Sequence, residues 1–298
     1  MKFLDAIKRH IRSLEVRFNR PLLRRQSVYK FVCEWNNGES SLGRLAAARP
    51  KLLVTITTHR RPNELSRLIE SLAKYKELRM PDCCICVLND YSEDDYGHPR
   101  TLLSQIFGDS SLWLDAKQHM GKSKFWRTHQ MIFSVAQAAQ CEYLLSLQDD
   151  IELASDFVSR LWKVWNATGA DVTRRVLYLF SSNDDEENGR WIHFARIAVP
   201  DARARRTDWF DMQGFLVDRK GLELLRYWIV PVPKSRWHKK PSESSGVGRQ
   251  LTRRLRGRAA TYQCDPPLIA HGGAASLMNQ EARRCNPLDN RAQVFGEE

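Results

Sequence analysis

Three carboxylates, Asp149, Asp150 and Glu152, fall within four residues at the end of the apolar run Tyr143-Leu144-Leu145-Ser146-Leu147, with Gln148 between run and acids. Carboxylate oxygens grouped in this way suit Mg²⁺ or Mn²⁺, at about 2 Å from the ion, holding a diphosphate. In an α/β sheet the carboxyl end of a strand is also where ligands bind. Taken alone, the same stretch reads equally well as a polar turn from strand to helix facing solvent.

Other residues able to do chemistry occur at similar exits. Thr57, Thr58, His59 and Arg60 close one β-branched run, and Asn89 and Asp90 close the next apolar run. Polar residues ending two successive strands can form one ligand site, although loop residues are polar for many reasons. Gly121-Lys122-Ser123 looks like the end of a phosphate-binding loop, but Ala116 stands where that motif needs its first glycine, which argues against an ATPase. Asp211 and Gln213 interrupt the aromatic run Trp209–Val217, and Gly214 leaves room for a close approach: an acceptor-binding strand, or a core strand with one polar edge. Glu243 precedes a basic helical stretch, where a helix N-terminus favours its ionised form; as a base it needs desolvation or an acceptor contact to raise its pKa. His271 stands beside Gly272 and Gly273, where an imidazole can approach a metal or diphosphate, though a lone loop histidine is more often surface.

The elements that must position these groups follow from periodicity. Leu52–Thr58, Cys83–Leu88 and Tyr143–Leu147 read as strands. Pro62 or Asn63 opens a helix carrying Leu65, Leu68, Ile69 and Leu72. This strand–helix–strand order indicates parallel pairing, with both exit loops at the same sheet edge. A helix is expected over Thr128–Ala139, and another from Phe157, capped by Ser155 or Asp156. Further strands are expected at Val176–Phe180, Trp191–Val199 and Trp209–Val217, and Tyr262–Asp265 leads on toward His271. Apolar residues at Leu222, Leu225, Trp228 and Ile229 follow helical spacing. Residues 3–18 place Phe3, Leu4, Ile7, Ile11, Leu14 and Phe18 on one face of a basic helix, which could pack on its own domain, lie in a lipid interface or form a nucleic-acid arm. Residues 22–50 are weakly patterned and read as an extension or linker.

The chain of 298 residues can bury a substantial core. Its formal charge of +12 is concentrated: residues 1–30 carry nine Lys or Arg against Asp5 and Glu15, and residues 234–258 carry nine against Glu243. Basic patches on an otherwise balanced chain point to an anionic partner, whether nucleic acid, an acidic membrane surface or a phosphorylated acceptor. Seven cysteines have no regular spacing; Cys83, Cys84 and Cys86 lie in an apolar run and read as reduced core thiols, which favours a reducing compartment. The opening residues lack the apolar stretch of a signal peptide, and no segment approaches a transmembrane span. A cytoplasmic protein is expected, in peripheral contact with an anionic membrane on the cytoplasmic face if the basic segments serve that purpose.

Taken in order, these motifs resemble the nucleotide-sugar glycosyltransferases of the GT-A type, broadly the family-two-like group, over roughly residues 50–279. The resemblance implies an α/β, Rossmann-like mixed and mainly parallel sheet flanked by helices. It implies a basic extension over residues 1–50, the transferase domain over 51–279 and a tail over 280–298. Thr57, Thr58, His59 and Arg60 then correspond to the nucleotide entry, Asn89 and Asp90 to a base or ribose contact, and Lys122 and Trp126 to a region that closes over the nucleotide. Gln148-Asp149-Asp150 takes the place of the aspartate-x-aspartate metal motif, with Asp150 in the main metal position and Gln148 replacing the first aspartate. The resemblance assigns Mn²⁺ or Mg²⁺ to Asp150 and His271, and the ribose or sugar to Asp149. Trp209, Gln213 and Gly214 face the acceptor, and Glu243, then Asp211, is the base of an inverting displacement. The donor implied is a UDP-sugar, with an acidic or phosphorylated cell-envelope glycan as leading acceptor and a hydroxymethylated base in DNA as the alternative. A noncatalytic interaction protein on the same scaffold is the reading that Gln148 keeps open, and a nucleic-acid-binding module is the one the basic segments keep open.

Overall fold

The computed structural model describes residues 31–169, 174–180, 197–199, 204–207, 212–231, 247–264 and 267–271. In chain order these contain α1 (Gly38–Ala48), β1 (Leu52–Thr58), α2 (Pro62–Ala73), β2 (Cys83–Asn89), α3 (Gly97–Phe107), β3 (Ser111–Asp115) and α4 (Gly121–Ala139). Then come β4 (Tyr143–Gln148), β5 (Ile151–Leu153), α5 (Phe157–Ala167), β6 (Arg175–Tyr178), β7 (Ile197–Val199), β8 (Ala204–Arg206) and β9 (Gly214–Asp218). The last are α6 (Arg219–Leu224), α7 (Val247–Leu255), β10 (Ala260–Cys264) and β11 (Ile269–His271). Nine strands form one sheet in the order β3-β2-β1-β4-β9-β6-β10-β8-β7. Only β8 and β9 run against the rest, so the sheet is mixed and mainly parallel, as expected.

Alternation along the strands divides the apolar side chains between two cores, one on each face of the sheet. Leu53, Cys84, Cys86, Leu112, Leu114 and Leu144 belong to one, with Trp35 and residues of α4 and α7. Val54, Ile56, Cys83, Ile85, Val87 and Leu145 belong to the other, with residues of α2, α3 and α5. The described cysteines are free thiols, and burial pushes those of Cys83 and Cys84 up to about 12 and about 11, which makes them inert packing groups. No helix among the described residues is long and apolar enough to cross a membrane.

Three elements depart from the sequence expectation. Residues 31–48 form part of the packed body: Phe31, Val32, Trp35 and Leu45 are buried in the first core, and Asn36 and Lys117 backbone N–H groups bond to Asp115 and Glu34. Their apolar residues are widely spaced, which hides the pattern. Helix α4 begins at Gly121, well before Thr128, because the Asp90 carboxylate accepts the Met120 and Gly121 N–H groups at 2.5 and 3.1 Å and satisfies donors that a helix start leaves open. The helix at Leu222 stops at Leu224. Beyond it Gln130 takes the Ile229 N–H at 2.8 Å, and the Arg254 guanidinium bonds the Leu225 and Trp228 carbonyls, so side chains replace helical partners. The basic helix at residues 3–18 and most of the strand at Trp191–Val199 lie outside the described residues.

Candidate functional site

Register decides what meets at the sheet edge. Thr58 pairs with Asn89 of β2, and Thr57 with Gln148 of β4, so the exits of β1, β2 and β4 are level with one another. Asp149 is buried at this edge: its Oδ2 accepts the Thr58 hydroxyl at 2.7 Å and the His59 N–H at 3.2 Å. Burial, and then the neighbouring Asp150 charge, pushes the Asp149 carboxyl up to about 7 despite those bonds and Arg61. Asp150 follows on the turn into β5. The Arg61 guanidinium forms an ion pair with Asp150 Oδ2 and lies 3.7 Å from Asp149 Oδ1. All three side chains are close to fully buried, the most exposed at 12%. Burial opposes the Arg61 charge, but the two carboxylates outweigh it and raise its pKa.

Arg61 is aimed by its own backbone. Arg60 before it has φ +56, a left-handed conformation that strains a residue with a Cβ, and Pro62 after it opens α2. The Arg61 N–H donates to the Tyr96 hydroxyl at 3.1 Å, and the buried Tyr96 shares a 3.1 Å hydrogen bond with Thr58.

Beside this acidic pair lies a second group. His59 Nδ1–H donates to the Asp90 carbonyl at 2.5 Å, which leaves Nε2 as the lone-pair nitrogen, and its ring stacks on His119 at 4.3 Å between centroids. His59, Asp90 and His119 bring ligand atoms within 4.8 Å of one another, close enough to hold a metal ion. Burial lowers the His59 pKa, which favours the neutral imidazole a metal or a hydrogen-bonded base needs.

No protein-family model matches the chain, and no curated protein matches it in sequence. Solved structures do. GalNAc-T7 with UDP, GalNAc and Mn²⁺ matches with a TM-score of 0.52 at 13% identity, over 77% of this chain and 46% of that one. The fold is GT-A. Looser matches are Staphylococcus aureus TarS 1-349, with a TM-score of 0.45 at 11% identity over 73% of this chain and 61% of that one, and a Pyrobaculum calidifontis mannosyltransferase in complex with GDP-Man and Mn²⁺, with 0.44 at 15% over 86% and 65%. The chain thus spans less than half of GalNAc-T7 and less than two thirds of the TarS fragment.

On this GT-A sheet the sequence candidates sort by position. Thr57, Thr58, His59, Asp90, Asp149 and Asp150 come together at the exits of β1, β2 and β4. Arg60 is exposed, 3.7 Å from Asp94. The register of β11 on β5 sets His271 opposite Ile151, next along the chain from Asp150, so the backbone puts the two proposed metal residues side by side. Lys122 is in the first turn of α4. Gln148, in the position of the missing aspartate, donates to the Met212 carbonyl at 3.4 Å. Two candidates are used by the fold itself. Trp126 is buried in the core, edge-on to Phe31 at 5.2 Å. The Asn89 amide donates to Asp115 at 2.9 Å. Gly214 does permit a close approach, but by Ile269: a Cβ there would sit 2.3 Å from Ile269 Cδ1. Gln213 precedes it on the same edge, while Trp209, Asp211 and Glu243 lie outside the described residues. Sequence reasoning passed over Arg61, Tyr96 and His119. Arg61 carried the one available signal, a cation in the exit loop of a strand whose parallel neighbour ends in two acids.

Proposed function

We propose that this chain transfers a sugar from a nucleoside diphosphate sugar, with UDP as the favoured nucleotide, to an acceptor hydroxyl. The observation that carries this reading is the convergence of Asp149, Asp150, Arg61 and the His59–Asp90–His119 group at the level exits of three adjacent GT-A strands. The Asp150 position suits a metal, since it already draws a cation against it. Asp150 and His271 would hold Mn²⁺ or Mg²⁺, which offsets the charge of the leaving diphosphate. His59 and Asp90, at the neighbouring exits of β1 and β2, would take the nucleoside end of the donor. Asp149, held by Thr58, orients the ribose or sugar. Glu243, with Asp211 as second choice, removes the acceptor proton in an inverting displacement, and Trp209, Gln213 and Gly214 form the acceptor side. An acidic or phosphorylated cell-envelope glycan fits the exposed arginines of α7 and the turn after it, Arg249, Arg253, Arg256 and Arg258.

Calorimetric titration of UDP-sugars in the presence of Mn²⁺ tests this. The isosteric D150N should lose more than the ~10-fold that even an outer-shell partner of a metal costs. D149N should lose less. Normal Mn²⁺-supported donor affinity in D150N would sink the assignment.

A further inference from the structure

We propose that Arg61 is a resident counter-cation that competes with the divalent ion for Asp150, so that the site takes metal tightly only together with the donor's diphosphate. The identity of that diphosphate rests on the transferase reading above; the competition does not.

The Arg61 guanidinium sits against Asp150 Oδ2, the acid that the metal reading needs, and reaches Asp149 Oδ1 at 3.7 Å. It is no solvated surface pair, because the Arg61 side chain is 10% exposed and those of Asp149 and Asp150 are 7% and 12%. Parting a buried ion pair leaves charge uncompensated, so the guanidinium is released at low cost only when another cation takes its place and an anion receives it. The main chain fixes its origin: left-handed Arg60, Pro62 and the bond from Arg61 N–H to Tyr96 keep Cα in place, so exchange requires only the side chain to swing.

Charge then sets the order of events. Gln148 is neutral, so residues 148–150 offer only the acids Asp149 and Asp150, and Arg61 already offsets one of them. A divalent ion arriving alone must share the remaining charge with the guanidinium, at a separation where like charges repel strongly in a desolvated site. A nucleoside diphosphate brings its own negative charge. Arg61 can then turn its planar fork from the carboxylate to a phosphate, a geometry that guanidinium accepts equally well. Metal and donor binding are therefore coupled through one side chain.

The test is a Mn²⁺ titration of wild type, R61M and R61K, read by electron paramagnetic resonance of free Mn²⁺, with and without saturating UDP. D150N runs alongside, so that binding at His59, Asp90 and His119 is subtracted. Without nucleotide, R61M should bind Mn²⁺ at the Asp150 site on the order of tenfold or more tighter than wild type. R61K, which keeps the charge and loses the fork, should fall between, and it carries the comparison if R61M does not fold. With UDP the gap should narrow. Equal or weaker Mn²⁺ binding in R61M and R61K, or no Mn²⁺ binding at this site in any variant, overturns the competition. A gap that persists at saturating UDP overturns the coupling. If the nucleotide-free arm behaves as expected and UDP binds none of the proteins, the transferase reading fails and the competition stands.

Discussion

Asp149 shows how a single side chain is made available by its neighbours. Thr58 Oγ1–H and the His59 N–H fix one oxygen, and Arg61 approaches the other. The acids were legible in the sequence because carboxylates at the end of an apolar run have no packing role to explain them. Arg61 was not, since an arginine after a strand looks like a solvated loop until the partner strand's register is known. His129 illustrates the opposite limit: a buried histidine on α4 with its ring against Phe125, its Nδ1–H on the Phe125 carbonyl at 3.1 Å, and its pKa lowered by burial from 6.5 to about 4. Such a histidine stabilises the fold fully above its unfolded pKa, and that contribution is lost as pH falls from 6.5 through about 4. The carboxyl of Asp149, raised to about 7, gives a slope of the opposite sign, so the difference between two proteins is the quantity to measure. Urea unfolding of wild type and H129Q should show the wild-type advantage shrinking by roughly 3 kcal/mol between pH 7 and pH 4. A difference independent of pH would mean that His129 keeps an ordinary pKa.

At the scale of elements, β1, β2 and β4 were readable because β-branched and apolar runs bounded by polar exits leave little choice. Boundaries set by side chains from elsewhere were not. The start of α4 depends on Asp90, just past the end of β2, and the end of α6 on Gln130 and Arg254, none of them local in sequence. Gly214 belongs here too. Its lack of a side chain read as room for an acceptor, and the structure fills that room with Ile269 beside the central strand β9. G214A should therefore destabilise the protein by about 1–3 kcal/mol in urea unfolding, through overpacking. I269V removes the clashing Cδ1, so the double variant should be more stable than the sum of the single changes. Strict additivity would show that the Gly214 site relaxes without cost from Ile269.

The whole molecule sets one end of the sheet apart from the other. Polar residues with shared hydrogen bonds gather where β1, β2 and β4 end, and both cores lie behind them. A cavity of about 650 Å³ opens at the opposite end, lined by Arg49, Lys51, Asp82, Gln140, Glu142 and Arg219, near the starts of β1 and β4. Its basic residues make it a rival anion site, but it lacks the acid pair and the histidines. The overall α/β architecture was legible from the order of strands and helices. The association of β9, β6 and β10 beyond β4 was not, because nothing local in an apolar run states its partner or direction. A structure of the protein with UDP and Mn²⁺ decides between the two ends. The nucleotide is expected across the exits of β1, β2 and β4, with its base toward His59 and Asp90 and its diphosphate beside Asp150 and Arg61. UDP held instead among Arg49, Lys51 and Arg219, or bound nowhere, would contradict it.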